Sequence, residues 1–189
     1  MGSNFSLFLS RFDNHRSKIA PLGKALHPTF DELYLHVGVG WFKGNLIHIL
    51  EPAIINDLKS AINSIKRLQN KLPFAYNSIG NLFLFDPSTL KIEFFDFTNN
   101  SLQPISDNLD ELFNEILYKN DFHPLLNASL NSQLSATLGP LTTSEVYQAS
   151  LPLLLGGEKV VKNFSKVNFL TYYAGIAPII LQWESFEKS

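Results

Sequence analysis

Glycine, histidine and carboxylate are the residue types with which this chain could do chemistry, and their spacing decides how far each can go. The segment LGPLTTSEVYQASLPLLLGGEKVVKNFSKV, Leu138 to Val167, has the density of a functional motif. Its Gly156-Gly157-Glu158-Lys159 offers a glycine pair and a lysine to a phosphate, but it lacks the upstream glycine and the Lys-Ser/Thr ending of a phosphate loop. Gly38, Gly40 and Gly44 do not have the spacing of a dinucleotide fingerprint, and a helical pattern precedes them where a strand should. The histidines are His15, His27, His36, His48 and His123. None stands four residues from another on a predicted helix, and none has a carboxylate at a recognised metal spacing. His48 in particular reads as a hydrogen-bonded structural residue on a strand. Glu93 and Asp96 could share acid and base roles, although any surface hairpin carries such pairs. No Gly-x-Ser-x-Gly elbow presents a serine nucleophile. The expectation is a protein with no catalytic constellation, no metal site and no cofactor.

Composition narrows the remaining classes. Of 189 residues 45% are hydrophobic and 17% charged, which argues for a packed globule and against disorder. The net charge of −2 supplies no basic field for nucleic acid or an anionic membrane. The absence of cysteine excludes disulfides, thiol catalysis and cysteine-ligated metals. The apolar run near the N-terminus is followed by Arg11 and preceded by no basic region, so it does not read as a signal peptide, and the expected location is the cytoplasm. Val167 to Trp183 is the one membrane candidate. It falls short of the roughly 20 apolar residues of a span and contains Pro178, so it is expected to be a helix buried on every side.

Periodicity then places the elements. Phe30, Leu33, Tyr34 and Val37 recur at helical spacing up to Gly38, and the segment after it, through Trp41 and Phe42, reads as a glycine-punctuated turn. Leu46 to Leu50 reads as a strand. Glu51-Pro52 opens a helix with Ile54, Leu58, Ile62, Ile65 and Leu68 as its apolar stripe. The clearest strand signal is NLFLFDPSTLKIEFFDF, two strands around the turn Asp86-Pro87-Ser88-Thr89, the first apolar throughout and therefore central. Ser106 or Asp107 is expected to cap the next helix, whose first turn gathers Asp107, Asp110 and Glu111 where its dipole favours negative charge. The signals change near residue 104. The pattern implies an α+β fold with a mixed, mainly antiparallel sheet and flanking helices over residues 1–104, and a smaller helix-rich unit over residues 105–189.

Every residue of the Leu138–Val167 segment has a scaffold reading. Gly139-Pro140 breaks a helix, and Thr142 with Glu145 makes a capping box for a short helix burying Val146 and Tyr147. Pro152 ends that helix, Leu153 to Leu155 cross the core, and Gly156-Gly157 turns the chain.

The same residues carry a resemblance. Leu138-Gly139-Pro140-Leu141, Glu145-Val146-Tyr147, Leu155-Gly156-Gly157 and Asn163-Phe164-Ser165-Lys166-Val167 resemble the C-terminal domain of type VI secretion immunity proteins of the Tdi type. In that family a GAD-like domain commonly stands in front. The helix around Phe30–Val37, then Gly40-Trp41-Phe42-Lys43-Gly44, Glu51-Pro52 and Ile79-Gly80-Asn81-Leu82-Phe83-Leu84-Phe85-Asp86 resemble it. One departure is visible: Pro152 stands seven residues after Glu145, where the family has six.

The resemblance implies a cytoplasmic protein that binds and silences a cognate toxin, in the best-known cases a DNase passed between bacteria, with no direct contact to nucleic acid or membrane. It brings no catalytic residues with it. The candidate contacts read from the chain itself are the aromatic pair Trp41 and Phe42, with Trp41 reading first as a lid on the core and second as an exposed anchor, and the carboxylates Glu93, Asp96, Asp107, Asp110 and Glu111, which one acidic face could collect. The alternatives are a small-molecule or regulatory module with a pocket near Trp41 and Phe42, and an enzyme using the hairpin carboxylates.

Overall fold

The computed structural model describes residues 5–11, 27–42, 44–118 and 124–186. Helix α1 (Ser6–Arg11) and helix α2 (Thr29–His36) precede strands β1 (Gly40–Phe42) and β2 (Ile47–Ile49). Helix α3 (Pro52–Ile62) leads to four strands, β3 (Leu72–Asn77), β4 (Leu82–Asp86), β5 (Lys91–Asp96) and β6 (Ser101–Ser106). A π-helix (Glu111–Leu117), helix α4 (Ala128–Leu138), strands β7 (Glu145–Ala149) and β8 (Phe164–Asn168) and helix α5 (Phe169–Phe186) complete the chain. His15, His123 and Lys43 lie outside the described residues.

Local chemistry sets the sheet. Asp86 Oδ1 accepts from the Ser88 amide at 2.9 Å and its hydroxyl at 2.6 Å, Leu90 takes a positive φ of 61°, and the chain reverses from β4 into β5. Asp96 repeats the device for β5 and β6, accepting from the Thr98 amide, the Thr98 hydroxyl and the Asn99 side chain. The six strands run in sequence order as an antiparallel meander, so the sheet is antiparallel throughout rather than mixed. Strand β4 is central and buried at every position.

Strand alternation splits the core into two layers. Phe42, Ile47, Ile49, Phe83, Phe85 and Phe94 point to one face, covered by α1, α2 and the π-helix. Trp41, Tyr76, Leu82, Leu84, Phe95 and Phe97 point to the other, covered by α3, α5 and the β7–β8 ribbon. Residues from both sides of position 104 share that second core. Pro52 occupies the first turn of α3, as its sequence requires, and α3 buries Ile55, Leu58 and Ile62. Ile65 and Leu68 are buried beyond its end, not on its stripe.

Three expectations change. Glu145–Ala149 is a strand, not a helix: β7 pairs antiparallel with β8, and the Tyr147 amide donates to Ser78 O at 2.8 Å. Val146 and Tyr147, on opposite faces of β7, are both fully buried, whereas β8 is largely exposed. The C-terminal part is helix-rich, as expected, with the β7–β8 ribbon added to its helices. Leu153 to Leu155 do not cross the core; they form a single 3-10 turn at the surface with Leu155 46% exposed. Helix α5 buries one face, Phe169, Tyr172, Tyr173, Ile176, Ala177 and Ile180, and leaves the other open. No helix among the described residues is long and apolar enough to cross a membrane.

Candidate functional site

Trp41 and Phe42 sit on β1 and face opposite layers, so they form no joint anchor. Trp41 is 7% exposed, and its Nε1 donates to Thr142 O at 2.7 Å. Phe42 is 1% exposed in the other core. The glycine-flanked loop of the sequence is a strand here, and the aromatic pair closes the interior.

The five carboxylates are dispersed. Glu93 and Asp96 stand three positions apart on one strand and so point to opposite faces of the sheet. Asp107 meets Lys91, at the other end of β5 from Asp96, roughly 17 Å away at strand rise. Each is engaged by its own surroundings. Lys71 Nζ lies 2.5 Å from Glu93 Oε2 and 2.9 Å from Asp86 Oδ2. Burial alone would lower the Lys71 pKa, and the two carboxylates overcome that and raise it. Burial likewise opposes Asp86, but Ser88 and Lys71 hold its carboxyl far below the usual range. Asp110 accepts from Asn114 Nδ2 at 3.0 Å.

The helix cap falls one residue later than the sequence suggests. Asn108, rather than Ser106 or Asp107, accepts from the Glu111 amide at 2.9 Å, and Glu111 reaches back to the Asp107 amide at 2.7 Å.

The Leu138–Val167 residues hold one another. Tyr147 is fully buried, and its hydroxyl donates to Gly139 O at 2.7 Å. Glu145 accepts from the Thr142 amide at 2.8 Å, the bond expected of a capping box, here made across a turn before a strand. That bond, with Lys166 3.6 Å away, lowers the Glu145 pKa. Pro152 starts the 3-10 turn and accepts from the Leu155 and Gly157 amides. Gly156 takes the left-handed φ of 92°, whereas Gly157 is required sterically: a Cβ there would overlap the Leu151 carbonyl oxygen.

What sequence reasoning missed is a polar hollow of about 600 Å³ beside the β5–β6 turn and the start of α4. Asn81, Asp96, Asn99, Gln103, Asn127, Gln133 and Lys159 supply its polar lining, with Phe94, Leu125 and Leu130 beneath. Four separate stretches of chain build it. Asn77 ties them: its Oδ1 accepts from the Ile79 and Asn81 amides, and its Nδ2 donates to Leu125 O at 2.7 Å. Asn81 Oδ1 accepts from the Phe97 amide at 3.0 Å. The available signal was the asparagine excess at turns, Asn100 and Asn127 both at φ 49°. Among the described residues no group of three or more metal-ligating side chains gathers.

No family model matches the chain, and no curated protein matches it. A solved structure does: the crystal structure of Atu4351 from Agrobacterium tumefaciens superposes with a TM-score of 0.64 at 17% identity, over 92% of this chain and 88% of that one. At that identity the likeness is one of fold, and it extends over both the six-stranded sheet and the C-terminal ribbon and helix.

Proposed function

We propose that this chain is an immunity protein that binds a cognate toxin, in the first instance a DNase of a type VI secretion system, and silences it in the cytoplasm. The observation that carries the reading is the ordered set of Tdi-type and GAD-like motif residues and the way the two sets bond to each other. Trp41 of the first set donates to Thr142 beside the second. Tyr147 of the second donates its amide to Ser78, beside the Ile79-Gly80-Asn81 motif, and Tyr173 donates to Gly80 O at 2.8 Å. A neutralising protein needs a rigid surface rather than a reactive group, because affinity between folded partners falls with every side chain or loop that must be ordered on binding. Two cores fastened across one sheet supply that rigidity.

The test is co-expression with the toxin encoded beside this gene. Protection of cells, with recovery of a stoichiometric complex, supports the reading. Undiminished killing by the toxin in the presence of folded protein overturns it.

A further inference from the structure

Helix α4 carries no charge on the face it turns to solvent. From Pro124 to Ser144 the chain has no lysine, arginine, histidine, aspartate or glutamate. Leu134 turns inward to the second core, with Leu130 and Leu138 packed beside it. Ser132 and Ala136 are exposed. A solvated helix face ordinarily gathers charged residues opposite its apolar stripe. Here the open face is small and neutral instead. Ala128, Ser132 and Ala136 recur every fourth residue with Ser135 beside them, and with Gly44 and Leu46 of the β1–β2 turn they line a groove of about 520 Å³. A Cβ on Gly44 would meet nothing within 4 Å, so the space above it is open.

A second, independent observation comes from the groove wall. Asn131 is 3% exposed and lines the same groove. Its Nδ2 donates to Gly44 O at 2.7 Å, and its Oδ1 has no hydrogen-bond partner among the described residues. A buried acceptor without a donor is unfavourable, because folding has taken it out of water and put nothing in water's place. No ionisable side chain among the described residues lines the groove. A cation entering it would find no counter-charge, so the donor that fits is a neutral hydroxyl or amide. Ser132, the next residue along, carries such a hydroxyl on the exposed side. Adjacent residues of a helix do not face each other, so this hydroxyl suits the Asn131 of another chain rather than its own.

We infer that this face pairs with the same face of a second copy of the chain, α4 lying antiparallel on α4 about a two-fold axis. Such a contact is isologous, and each surface supplies what the other lacks. The Ser132 hydroxyl of the second copy donates to Asn131 Oδ1, and the reciprocal bond forms across the axis. An antiparallel register that sets Asn131 opposite Ser132 also sets Ala128 opposite Ser135. Small residues then meet small residues, and the helix axes can come close. A surface that meets itself brings every charge against its like, and a face without charge escapes that repulsion. The same neutrality makes it a poor match for the basic groove of a nuclease, which calls for an acidic face. Two helices of 11 residues give a contact at the small end of specific interfaces. The pair is therefore reversible, with a dissociation constant of about 10–100 µM. It does not rest on the proposed function.

Sedimentation velocity of the full chain over roughly 5 to 500 µM reads the pairing as a shift from monomer to dimer. Ser132→Glu and Ser132→Lys are exposed changes that set like charges across the axis. Each should hold the chain monomeric over that whole range, with its circular dichroism unchanged. A mixture of the two in equal amounts should dimerise again, because opposite charges then face each other. Ser132→Ala removes the donor and should weaken the pair about fivefold. A parent that stays monomeric throughout overturns the inference. So does a dimer that Ser132→Glu leaves intact, or a charge-opposed mixture that stays monomeric; a pair that Ser132→Ala does not weaken overturns the bond to Asn131. The toxin separates the two claims. A monomeric parent that loses toxin binding on Ser132→Glu gives the face to the toxin, which overturns the pairing and keeps the immunity reading. A dimer that neither binds nor silences the toxin keeps the pairing and removes that reading.

Discussion

The His48 imidazole lies stacked on the Tyr76 ring, with centroids 4.8 Å apart and planes inclined by 22°, and neither of its nitrogens has a hydrogen-bond partner among the described residues. Trp41 closes the stack edge-on, 4.9 Å from the imidazole. The expected hydrogen-bonded histidine is therefore an imidazole held as a neutral aromatic ring, since the charged form would have no counter-group there.

Burial depresses the His48 pKa from 6.5 to about 3. The folded chain refuses a proton that the unfolded chain accepts below about pH 6.5. Stability from this residue is thus complete above that pH and declines as the pH falls toward 3, by up to about 1.4 kcal/mol per pH unit. Urea midpoints of the parent and His48→Phe at pH 7.5 and 4.5 check it. The parent should lose more on acidification; parallel losses would show that His48 is not the titrating group.

The glycine pair gives an ordered comparison. Gly157→Ala must displace the Leu151 main chain and should destabilise by about 3 kcal/mol. Gly156→Ala meets open space and carries only the left-handed strain of about 1 kcal/mol. Denaturation midpoints in the reverse order would contradict the steric account of this turn.

Tyr147 separates scaffold from contact surface. Tyr147→Phe loses the bond to Gly139 O and should cost about 1 kcal/mol, while Tyr147→Ala opens a cavity and should cost about 3–5 kcal/mol. Unchanged midpoints with lost toxin binding would move the residue from the core to the interface.

Much of this was legible in the sequence. The β4–β5 reversal was readable because Asp86, Ser88 and the flanking apolar runs are neighbours, and turn chemistry acts over two residues. The bond between Glu145 and Thr142 was readable for the same reason. The element it introduces was not, because Thr-x-x-Glu closes a turn before a strand as well as before a helix. Strand β7 is defined by its partner β8, with Ala149 facing Phe164 across the intervening loop. The core position of Trp41 was readable, but the turn expected around it is a strand: Gly40 at φ 109° belongs to β1 itself. The hollow was invisible because its walls are brought together from positions 81, 94–103, 124–133 and 159.

Lys71 tests whether the hairpin carboxylates are structural. Lys71→Met leaves Asp86 and Glu93 together with side chains only 12% and 15% exposed, and should cost about 3 kcal/mol. Glu93→Gln leaves Lys71 paired with Asp86 and should cost about 1 kcal/mol with no change in toxin association rate. A slowed association with unchanged stability would return Glu93 to the binding surface.

The central claim is toxin neutralisation, and calorimetric titration of the purified chain into the neighbouring toxin, with toxin activity read on the same samples, tests it most directly. The account predicts saturable binding at a fixed stoichiometry, with activity lost in proportion to the toxin bound. No heat of binding and full toxin activity under a large excess of folded chain would contradict it.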